Sequence, residues 1–385
     1  MKTFELIAKT FQGLEEVLAK ELTELGADDI QIGRRMVSFT GDKRMMYRAN
    51  FHLRTAIRVL KPILHFNAKD ADEIYDIVKT RIKWEDYMTV NTSFAVDSVV
   101  YSDEFRHSKF VAYRVKDAIA DYFREKEGKR PSVQVTNPDI TLHIHIAQER
   151  CTLSLDSSGE SLHRRGYRQE AVEAPLNEVL AAGMLLQTGW KGETDFVDPM
   201  CGSGTILIEA AMYANNIPAQ YYRKKFGFMR WKEFNNSEWK GVKERLDRGI
   251  REFEYEIWGS DIDRAVVEQA EKNLRFPKLH RGLGFFPNSF EFQDAPEGEC
   301  MIITNPPYGE RISVEDITNL YSMIGDRFKS FGDGKTAWLI TSDFRAMKSI
   351  GLKTSRKIQL YNGALECRFL KFELYDGSKK AKYNA

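Results

Sequence analysis

One stretch in the second half of the chain joins an apolar strand to an apolar helix through two closely spaced glycines. It reads Phe196-Val197-Asp198-Pro199-Met200-Cys201-Gly202-Ser203-Gly204-Thr205 and continues as ILIEAAMYA. A strand that passes through a glycine turn directly into a helix is typical of parallel α/β sheets. Glycine lets the backbone approach a ligand closely, because it has no Cβ and adopts positive φ freely. The stretch therefore predicts a parallel sheet with a small-molecule site at the carboxyl end of a strand.

The rest of the second half continues this alternation of strands and helices. A helix is predicted around residues 177–187, and helices are predicted between most of the strands that follow. The predicted strands are DFVDP, YEIWGSD, LGFFPN, CMIITN and TAWLITS. KIQLY and ALECRFLKFEL flank Asn362-Gly363, a dipeptide typical of a type I′ hairpin turn. We therefore predict a Rossmann-like α/β domain with a parallel sheet whose last strand is antiparallel.

The first 155 residues have a different pattern. Residues 3–8 predict a strand, and Gly13 opens an amphipathic helix that ends before Gly26. Two more helices are predicted at DADEIYDIVKTRIKW and SKFVAYRVKDAIADYFREK, and alternating segments are TSFAVDSVV, SVQVTN, DITLHIHIA and RCTLSLDSS. This pattern predicts an α+β assembly with antiparallel strands. The segment 156–172, which joins the two patterns and is rich in Ser, Gly and Arg, is the predicted linker.

Bulk properties exclude several protein classes. The 385 residues exceed a usual domain of roughly 100–200 residues, so two or three domains are expected. The four cysteines form no CxxC pair, which disfavours a zinc site or a disulfide framework, and no metal is predicted. Lys2, Glu5 and Lys9 interrupt any signal-like run, and no segment reaches the ~18 uncharged residues of a membrane span. We expect a cytoplasmic protein without a membrane partner.

The charge balance gives no general indication of a nucleic-acid partner. The formal net charge is only +1, so any basic patch that contacts phosphates must be local. One candidate cluster contains Arg164, Arg165 and Arg168. The other lies in residues 221–232, where basic residues alternate with aromatic ones. Taken alone, either cluster is more simply explained as a solvated charged surface.

The glycine turn is compatible with two kinds of ligand, a dinucleotide or an amino-acid nucleoside. Leu207 stands where the dinucleotide fingerprint has its third glycine. The carboxylate of Asp198 would repel a pyrophosphate but suits the cationic amine of a methionine group. The turn therefore favours S-adenosylmethionine. The residues predicted to line this part of the site are Asp198, Met200, Cys201, Gly202, Ser203, Gly204 and Thr205.

The next two predicted strands supply candidates for the nucleoside end of that cofactor. Asp261 ends one of them, where its carboxylate is placed to accept hydrogen bonds from both ribose hydroxyls. Ile262 is the expected apolar contact for adenine, and Asp263 is a predicted helix N-cap. The other strand ends at Asn288-Ser289, which fits either an adenine contact or an ordinary turn. Both interpretations remain open.

Asn305-Pro306-Pro307-Tyr308 follows the apolar strand MIIT. Two consecutive prolines continue neither a central strand nor a helix, so they hold the backbone in a rigid turn at the strand end. The Asn305 side-chain oxygen and the Pro306 carbonyl are then placed to accept the two N–H groups of an exocyclic base amine, and Tyr308 offers a ring on which an extruded base stacks. The tetrapeptide predicts methylation of such an amine.

Taken together, these motifs resemble those of amino-methyltransferases with an N/D-P-P-Y/F/W signature. The chain is most similar to bacterial 23S rRNA guanine-N2 methyltransferases with a THUMP domain, including the methylase half of a larger bifunctional enzyme. The resemblance spans almost the whole chain and rests on FELIAKTFQGLEEVLAKEL, LHRRGYR, APLNEVLAAGML, DPMCGSGT, GSDID and NPPYGERI.

The resemblance implies an organisation and further site residues. It implies a ferredoxin-like piece at 1–60, a THUMP RNA-binding domain at 61–155, the linker at 156–172 and a class I methyltransferase domain at 173–385. It places Pro175, Leu176 and Asn177 near the cofactor. It also implies that RNA binding is connected to the catalytic domain by Arg164, Arg165, Tyr167 and Arg168. The implied partner is 23S ribosomal RNA or a ribosomal assembly particle.

Two other functions remain as alternatives. A DNA or RNA adenine-N6 methyltransferase would use the same chemistry at Asn305, although the N-terminal α+β region argues for an RNA substrate. A non-catalytic RNA-binding assembly factor is opposed by the complete set of site residues. The interval between Asp198 and Asp261 far exceeds the ~20 residues of a dinucleotide unit. The stretch 212–250 is therefore interpreted as an insertion that forms a wall or lid over the substrate cleft.

Overall fold

The computed structural model describes residues 2–105, 107–168, 175–273, 282–307 and 314–376. The chain folds into two compact units, and neither is a continuous half of the sequence. The N-terminal unit consists of Met1–Thr10, Leu18–Leu162 and Lys224–Arg245. The C-terminal unit consists of Phe11–Val17, His163–Arg223 and Leu246–Ala385. No helix in the described ranges is long and apolar enough to cross a membrane.

The N-terminal unit is built on one seven-stranded sheet with the order β2-β3-β1-β4-β7-β6-β5. Its strands are β1 (Phe4–Lys9), β2 (Asp28–Gly33), β3 (Met36–Gly41), β4 (Arg58–Asn67), β5 (Phe94–Tyr101), β6 (Ile140–Ala147) and β7 (Arg150–Asp156). The predicted antiparallel arrangement is wrong for one pair, because β5 and β6 are parallel. The segment SVQVTN forms no strand and contributes only a bridge between Val133 and Phe94.

Helices connect the strands of this sheet. They are α1 (Glu15–Leu25), which begins in the C-terminal unit, α2 (Lys43–His52), α3 (Ala71–Arg81) and α4 (Ser108–Glu127). Asp42 caps α2 by accepting a hydrogen bond from the Met45 N–H at 2.8 Å, and Asp70 caps α3 in the same way. The long helix α4 carries the chain from β5 to β6, and such a crossover is what makes those strands parallel.

The insertion in the methyltransferase-like half contributes to the core of the N-terminal unit. Trp239 lies on α7 (Asn236–Asp247), and its indole packs edge-on against the rings of Phe51 at 5.4 Å and Tyr47 at 6.0 Å. Phe228 packs against the same indole at 5.3 Å. We expected this stretch to form a wall or lid over a substrate cleft. Residues 224–245 instead complete the aromatic core of the other unit.

The C-terminal unit contains a second seven-stranded sheet with the order β10-β9-β8-β11-β12-β14-β13. Its strands are β8 (Asp195–Asp198), β9 (Ile257–Asp261), β10 (Leu283–Pro287), β11 (Cys300–Thr304), β12 (Lys335–Thr341), β13 (Arg356–Asn362) and β14 (Leu365–Glu373). Its remaining helices are α5 (Glu178–Thr188), α6 (Thr205–Ala214), α8 (Arg264–Asn273) and α9 (Val314–Phe331). The strands from β8 to β12 are parallel and β14 is antiparallel, which confirms the predicted Rossmann-like fold.

The predicted hairpin between β13 and β14 forms, but its turn is shifted by one residue. Asn362 pairs with Leu365, so the two turn residues are Gly363 and Ala364 instead of Asn362 and Gly363. Only the first of them, Gly363, has a positive φ, of 64°. That combination fits a type II′ turn and excludes the predicted type I′ turn, which requires positive φ at both positions.

We expect Trp239→Ala to destabilise the N-terminal unit. The indole is buried among four aromatic rings, and truncating a packed tryptophan costs about 3–5 kcal/mol. Urea denaturation followed by circular dichroism measures the loss. The control is Lys240→Ala, which changes the exposed neighbour on the same helix and should stay within about 0.5 kcal/mol. Equal midpoints for Trp239→Ala and wild type would contradict the assignment of this segment to the core.

Candidate cofactor and catalytic site

Three adjacent parallel strands bring the predicted site residues to one edge of the sheet. β8 lies between β9 and β11, and the strand order reverses at this position. Open α/β sheets bind ligands in the crevice at such a reversal, outside the carboxyl ends of the strands. Asp198 ends β8, Asp261 ends β9, and Asn305 follows β11 directly. Residues separated by more than a hundred positions are thereby brought to the same crevice.

The glycine loop, residues 199–204, is attached to the neighbouring strand by its backbone. The Gly202 N–H donates to Asp261 Oδ2 at 2.9 Å, and the Cys201 N–H donates to the Ser260 carbonyl at 2.9 Å. Gly202 has a φ of +52°, and a Cβ built there would meet no atom within 4 Å. A Cβ at Gly204, whose φ is +78°, would lie 2.8 Å from the Phe285 ring. Gly204 is therefore required for packing, whereas Gly202 borders open space.

Two sulfur-containing residues of the glycine loop were also predicted cofactor contacts. Met200 is half-buried, and Cys201 is 7% exposed. Burial raises the pKa of the Cys201 thiol, and the nearby charges of Asp198 and Asp261 raise it further. The thiol is therefore neutral near pH 7. It is not an activated nucleophile.

Asp198 is a buried acid without a cationic partner in the described part of the chain. It is 1% exposed, and its Oδ1 accepts the Met200 N–H at 3.2 Å. Burial raises the pKa of this carboxyl to about 7; the Thr304 side chain and the Met200 N–H lower it, and the charge of Asp261 raises it. A buried carboxylate without a cationic partner is costly in free energy when it is ionised, so the position favours a ligand that brings a positive charge.

The Asp261 carboxylate accepts a hydrogen bond from the glycine loop and keeps free lone pairs for a ligand. Its Oδ2 accepts the Gly202 N–H, and its Oδ1 accepts the Asp263 N–H at 3.0 Å. Each carboxylate oxygen has two lone pairs, so both retain one for the hydroxyl groups of a sugar. The adjacent Ile262, the predicted apolar contact for adenine, is 80% exposed. Asp263 accepts the Ala265 N–H at 2.9 Å and caps α8, as predicted.

Asn288 and Ser289 differ in what they offer a ligand. Asn288 is exposed, and its backbone N–H donates to the Asp261 carbonyl at 3.0 Å. Asn288 therefore lies beside Asp261, the residue predicted to bind the ribose. The Ser289 hydroxyl accepts the Glu291 N–H at 3.3 Å and caps a short 3-10 helix. Ser289 therefore has a structural role in the turn, and Asn288 is the better placed of the two for adenine.

Asn305 presents an acceptor that the described protein does not use. Its Oδ1 atom is buried, and no described residue donates a hydrogen bond to it. Pro306 is buried and Pro307 is exposed, whereas Tyr308 lies outside the described residues. Leaving such an acceptor unpaired costs about 1–3 kcal/mol, which a ligand N–H would recover. The position suits a substrate amine.

The four residues that were predicted to contact RNA have different surroundings in the structure. Arg165 and Tyr167 are each 1% exposed, and both bond to Glu209 of α6, at 3.1 and 3.2 Å. Neither offers a surface to a large ligand. Arg168 lies against the glycine loop, and Arg164 is exposed. The sequence did contain a signal for this pairing: Glu209 is the one acid in the apolar helix ILIEAAMYA, and a buried acid needs a cationic partner.

The segment before α5 contains the other predicted cofactor residues. Asn177 is half-buried and caps α5 by accepting the Val179 N–H at 2.9 Å, while Leu176 is buried and Pro175 is exposed. Sequence reasoning missed two residues that brace the crevice. Ser260 is buried, and its hydroxyl donates to Gln293 Oε1 at 2.9 Å. Ser260 belongs to the quoted GSDID motif but was given no role in the prediction, and no motif marked Gln293.

Three family profiles match consecutive parts of the chain. They are described as the RlmL ferredoxin-like domain (residues 5–60), the THUMP domain (68–156) and the RMKL-like methyltransferase domain (165–371). The chain is 40% identical over 377 residues to the ribosomal RNA large subunit methyltransferase K/L of Syntrophotalea carbinolica, covering 94% of this chain and 52% of that one. It is 38% identical to the putative RNA methyltransferase slr0064 of Synechocystis sp., covering 96% of both.

Solved structures of methyltransferases are also similar to this chain over almost its whole length. A possible methylase from Clostridium difficile 630 is 32% identical, with a TM-score of 0.88, over 98% of this chain and 99% of that one. SMU.472, a putative methyltransferase complexed with SAH, is 28% identical, with a TM-score of 0.87 and the same coverage. The fold is thus that of a class I methyltransferase domain joined to ferredoxin-like and THUMP domains. The chain belongs to the RMKL-like methyltransferase family, and it spans about half the length of the K/L relatives it matches.

The crevice fits the cofactor of this family. Asp198 offers a buried negative charge for the methionine amine, and Asp261 offers free lone pairs for the ribose hydroxyls. Gly202 leaves room for the ligand beside the loop. The donors and acceptors therefore match a zwitterionic amino-acid nucleoside, as the sequence predicted.

We expect cofactor affinity to depend on the ionisation of Asp198. Its pKa is about 7 in the free protein, so at lower pH this carboxyl must lose a proton before it pairs with the ligand amine. The affinity for S-adenosylhomocysteine, measured by calorimetry, should fall by up to about tenfold per pH unit below pH 7 and level off above about pH 8. Asp198→Asn should bind weakly at every pH. A wild-type affinity that is flat between about pH 5.5 and 8.5 would contradict this assignment.

Proposed function

We propose that the protein transfers a methyl group from S-adenosylmethionine to the exocyclic N2 amine of a guanosine in 23S ribosomal RNA. The observation that carries the proposal is the buried Oδ1 of Asn305 at the strand edge, to which no described residue donates a hydrogen bond. That edge also holds Asp198 and Asp261, the two carboxylates suited to the cofactor. An acceptor beside a methyl donor is what amine methylation requires.

The chemistry of the amine explains why acceptors are needed. Its lone pair is delocalised into the base, so the amine must become more pyramidal to react. S-adenosylmethionine supplies the electrophilic methyl group when bound. Asn305 Oδ1 accepts one N–H and the Pro306 carbonyl accepts the other, which directs the nitrogen lone pair out of the base plane. After transfer the nitrogen is acidic and loses its proton to water, so no strong base is required.

The N-terminal unit supports RNA as the substrate. It carries the THUMP and ferredoxin-like matches, and relatives covering most of the chain are named as RNA or large-subunit ribosomal RNA methyltransferases. The substrate is then the RNA itself or a ribosomal assembly particle, which in bacteria lies in the cytoplasm. Arg164 is the exposed arginine of the cluster in residues 164–168, and we propose that it contacts the RNA. Tyr308 is proposed to stack on the extruded base.

Adenine N6 is the second candidate for the acceptor. It is also an exocyclic amine, and the Asn305 acceptor suits it equally well. A structure from Listeria monocytogenes with 30% identity and a TM-score of 0.85 is named a predicted N6-adenine-specific DNA methylase. A ring nitrogen such as guanine N7 has no N–H to donate and would leave Asn305 unpaired. The acceptor therefore favours an exocyclic amine over a ring nitrogen.

Nucleoside mass spectrometry tests the proposal directly. Unmodified 23S RNA and immature large-subunit particles are incubated with the full chain and labelled S-adenosylmethionine, and the labelled nucleoside is identified. We expect N2-methylguanosine. Labelled N6-methyladenosine would instead establish the second candidate. Label found only as 7-methylguanosine would contradict the role of Asn305, and the absence of label from both substrates would contradict RNA methylation.

We expect Asn305→Ala to lose turnover and keep cofactor binding. The missing acceptor acts on the amine in the transition state, and one such contact is worth about a 100-fold or greater loss in rate. Single-turnover methylation at saturating cofactor measures the rate, and calorimetry with S-adenosylhomocysteine measures binding, which should change by less than about twofold. Asn305→Asp is the matched control, because it keeps an acceptor oxygen and should retain part of the rate. Wild-type single-turnover rates in Asn305→Ala would refute the mechanism.

A further inference from the structure

The side chain of Arg168 lies against the glycine loop and the start of α6. Its guanidinium Nη1 donates to the Ser203 hydroxyl at 3.2 Å, and its Nη2 donates to the Thr205 hydroxyl at 3.0 Å. Its Nε donates to Glu178 Oε1 at 3.0 Å. The side chain is only 17% exposed. The family resemblance implied an RNA contact for this residue, but its polar atoms are directed at the glycine loop and at α5.

These contacts fix the direction in which the two hydroxyl groups donate. A guanidinium has only donors, so the Ser203 and Thr205 oxygens must act as acceptors toward it. Each hydroxyl proton is then directed elsewhere. No described residue accepts a hydrogen bond from either hydroxyl. Ser203 is 8% exposed and Thr205 is 3% exposed, so bulk water has little access to them.

The two donors lie at a position that already favours an anion. Thr205 is the first residue of α6, and Gly204 is its N-cap. The first N–H groups of a helix have no partner within the helix, and its dipole is positive at that end. Glu178 neutralises the Arg168 charge, so Arg168 acts on an anion through the hydroxyls. The zwitterionic cofactor brings one anionic group, the carboxylate of its methionine part.

We propose that Arg168 is a positioning residue that turns the Ser203 and Thr205 hydroxyls into donors for the cofactor carboxylate. Its own location is fixed by neighbours in the linker. Arg165 forms a fully buried ion pair with Glu209 of α6, with Nε to Oε1 at 3.1 Å, and this pair fastens the segment to the helix behind the loop. The inference rests on the cofactor named in the proposed function, and it assigns this linker segment to cofactor recognition.

The test compares two ligands that differ only at the amino-acid end. S-adenosylhomocysteine carries the carboxylate, whereas 5′-methylthioadenosine keeps the adenine, ribose and thioether but lacks the amino-acid group. Calorimetry on the full chain should show Arg168→Ala binding S-adenosylhomocysteine about tenfold or more weakly. Its affinity for 5′-methylthioadenosine should stay within about twofold. Arg356→Ala, which removes an exposed arginine of the same unit, should leave both affinities unchanged.

A purely structural role for Arg168 gives a different pattern. If the loop collapses without the guanidinium, both ligands lose affinity together, and the proposal is overturned. It is also overturned if Arg168→Ala binds S-adenosylhomocysteine as tightly as wild type. A wild-type protein that binds neither ligand would instead refute the cofactor assignment in the proposed function. The two failures are therefore distinguishable.

The hydroxyls provide a second, independent test that does not require Arg168→Ala to fold. The double variant Ser203→Ala with Thr205→Val removes both donors and keeps the arginine. It should lose affinity for S-adenosylhomocysteine and keep affinity for 5′-methylthioadenosine. Adding Arg168→Ala to that background should cause no further selective loss, because the three groups act as one chain. A full additional tenfold loss would show that Arg168 acts on the ligand without the hydroxyls.

Discussion

Parallel pairing of β8 with β9 on one side and β11 on the other is the constraint on which the site depends. It places three strand ends next to each other, although the described sequence between them contains three α-helices, one of them in the insertion. The hydrogen bond from Gly202 to Asp261 then joins the glycine loop to the neighbouring strand. Without this register Asp198, Asp261 and the Asn305 acceptor would have no common crevice. Each of them is supplied by a different strand.

Buried acids in the C-terminal unit fall into two groups with different consequences. Glu209 and Glu178 are paired with Arg165 and Arg168, so their charges are compensated within the protein. Asp198 has no such partner among the described residues, and its raised pKa records the cost of keeping it charged. Compensated acids hold segments together, whereas an uncompensated acid attracts a ligand.

Sequence was a good guide where a pattern was local and a poor one where a partner was distant. The strands of the second sheet follow from their apolar runs, and Asp198, Asp261 and Asn305 lie at the strand ends where the pattern predicted them. Their roles toward a ligand stay predictions. The hairpin turn was misplaced because its register is set by buried cross-strand pairs such as Leu360 and Cys367, which put Asn362 within the strand.

The remaining errors have similar causes. β4 was missed because Pro62 interrupts its run, at a bulge that only the paired strands reveal. The arginines of the linker were taken for a surface cluster because their acidic partners lie on α5 and α6, far along the chain. Packing of residues 224–245 against Tyr47 and Phe51 was invisible to local patterns for the same reason.

That packing also sets an order of events during synthesis. A ribosome releases the strands of the N-terminal sheet early, but the aromatic residues that close their core leave the exit tunnel only after β8 and α6 have been made. The unit that carries the THUMP match therefore cannot complete its fold until β8 and α6 of the methyltransferase half have been made, whereas a simple N-terminal domain would not have to wait for them. Until then Tyr47 and Phe51 lack part of their cover, and the nascent chain exposes an apolar surface there.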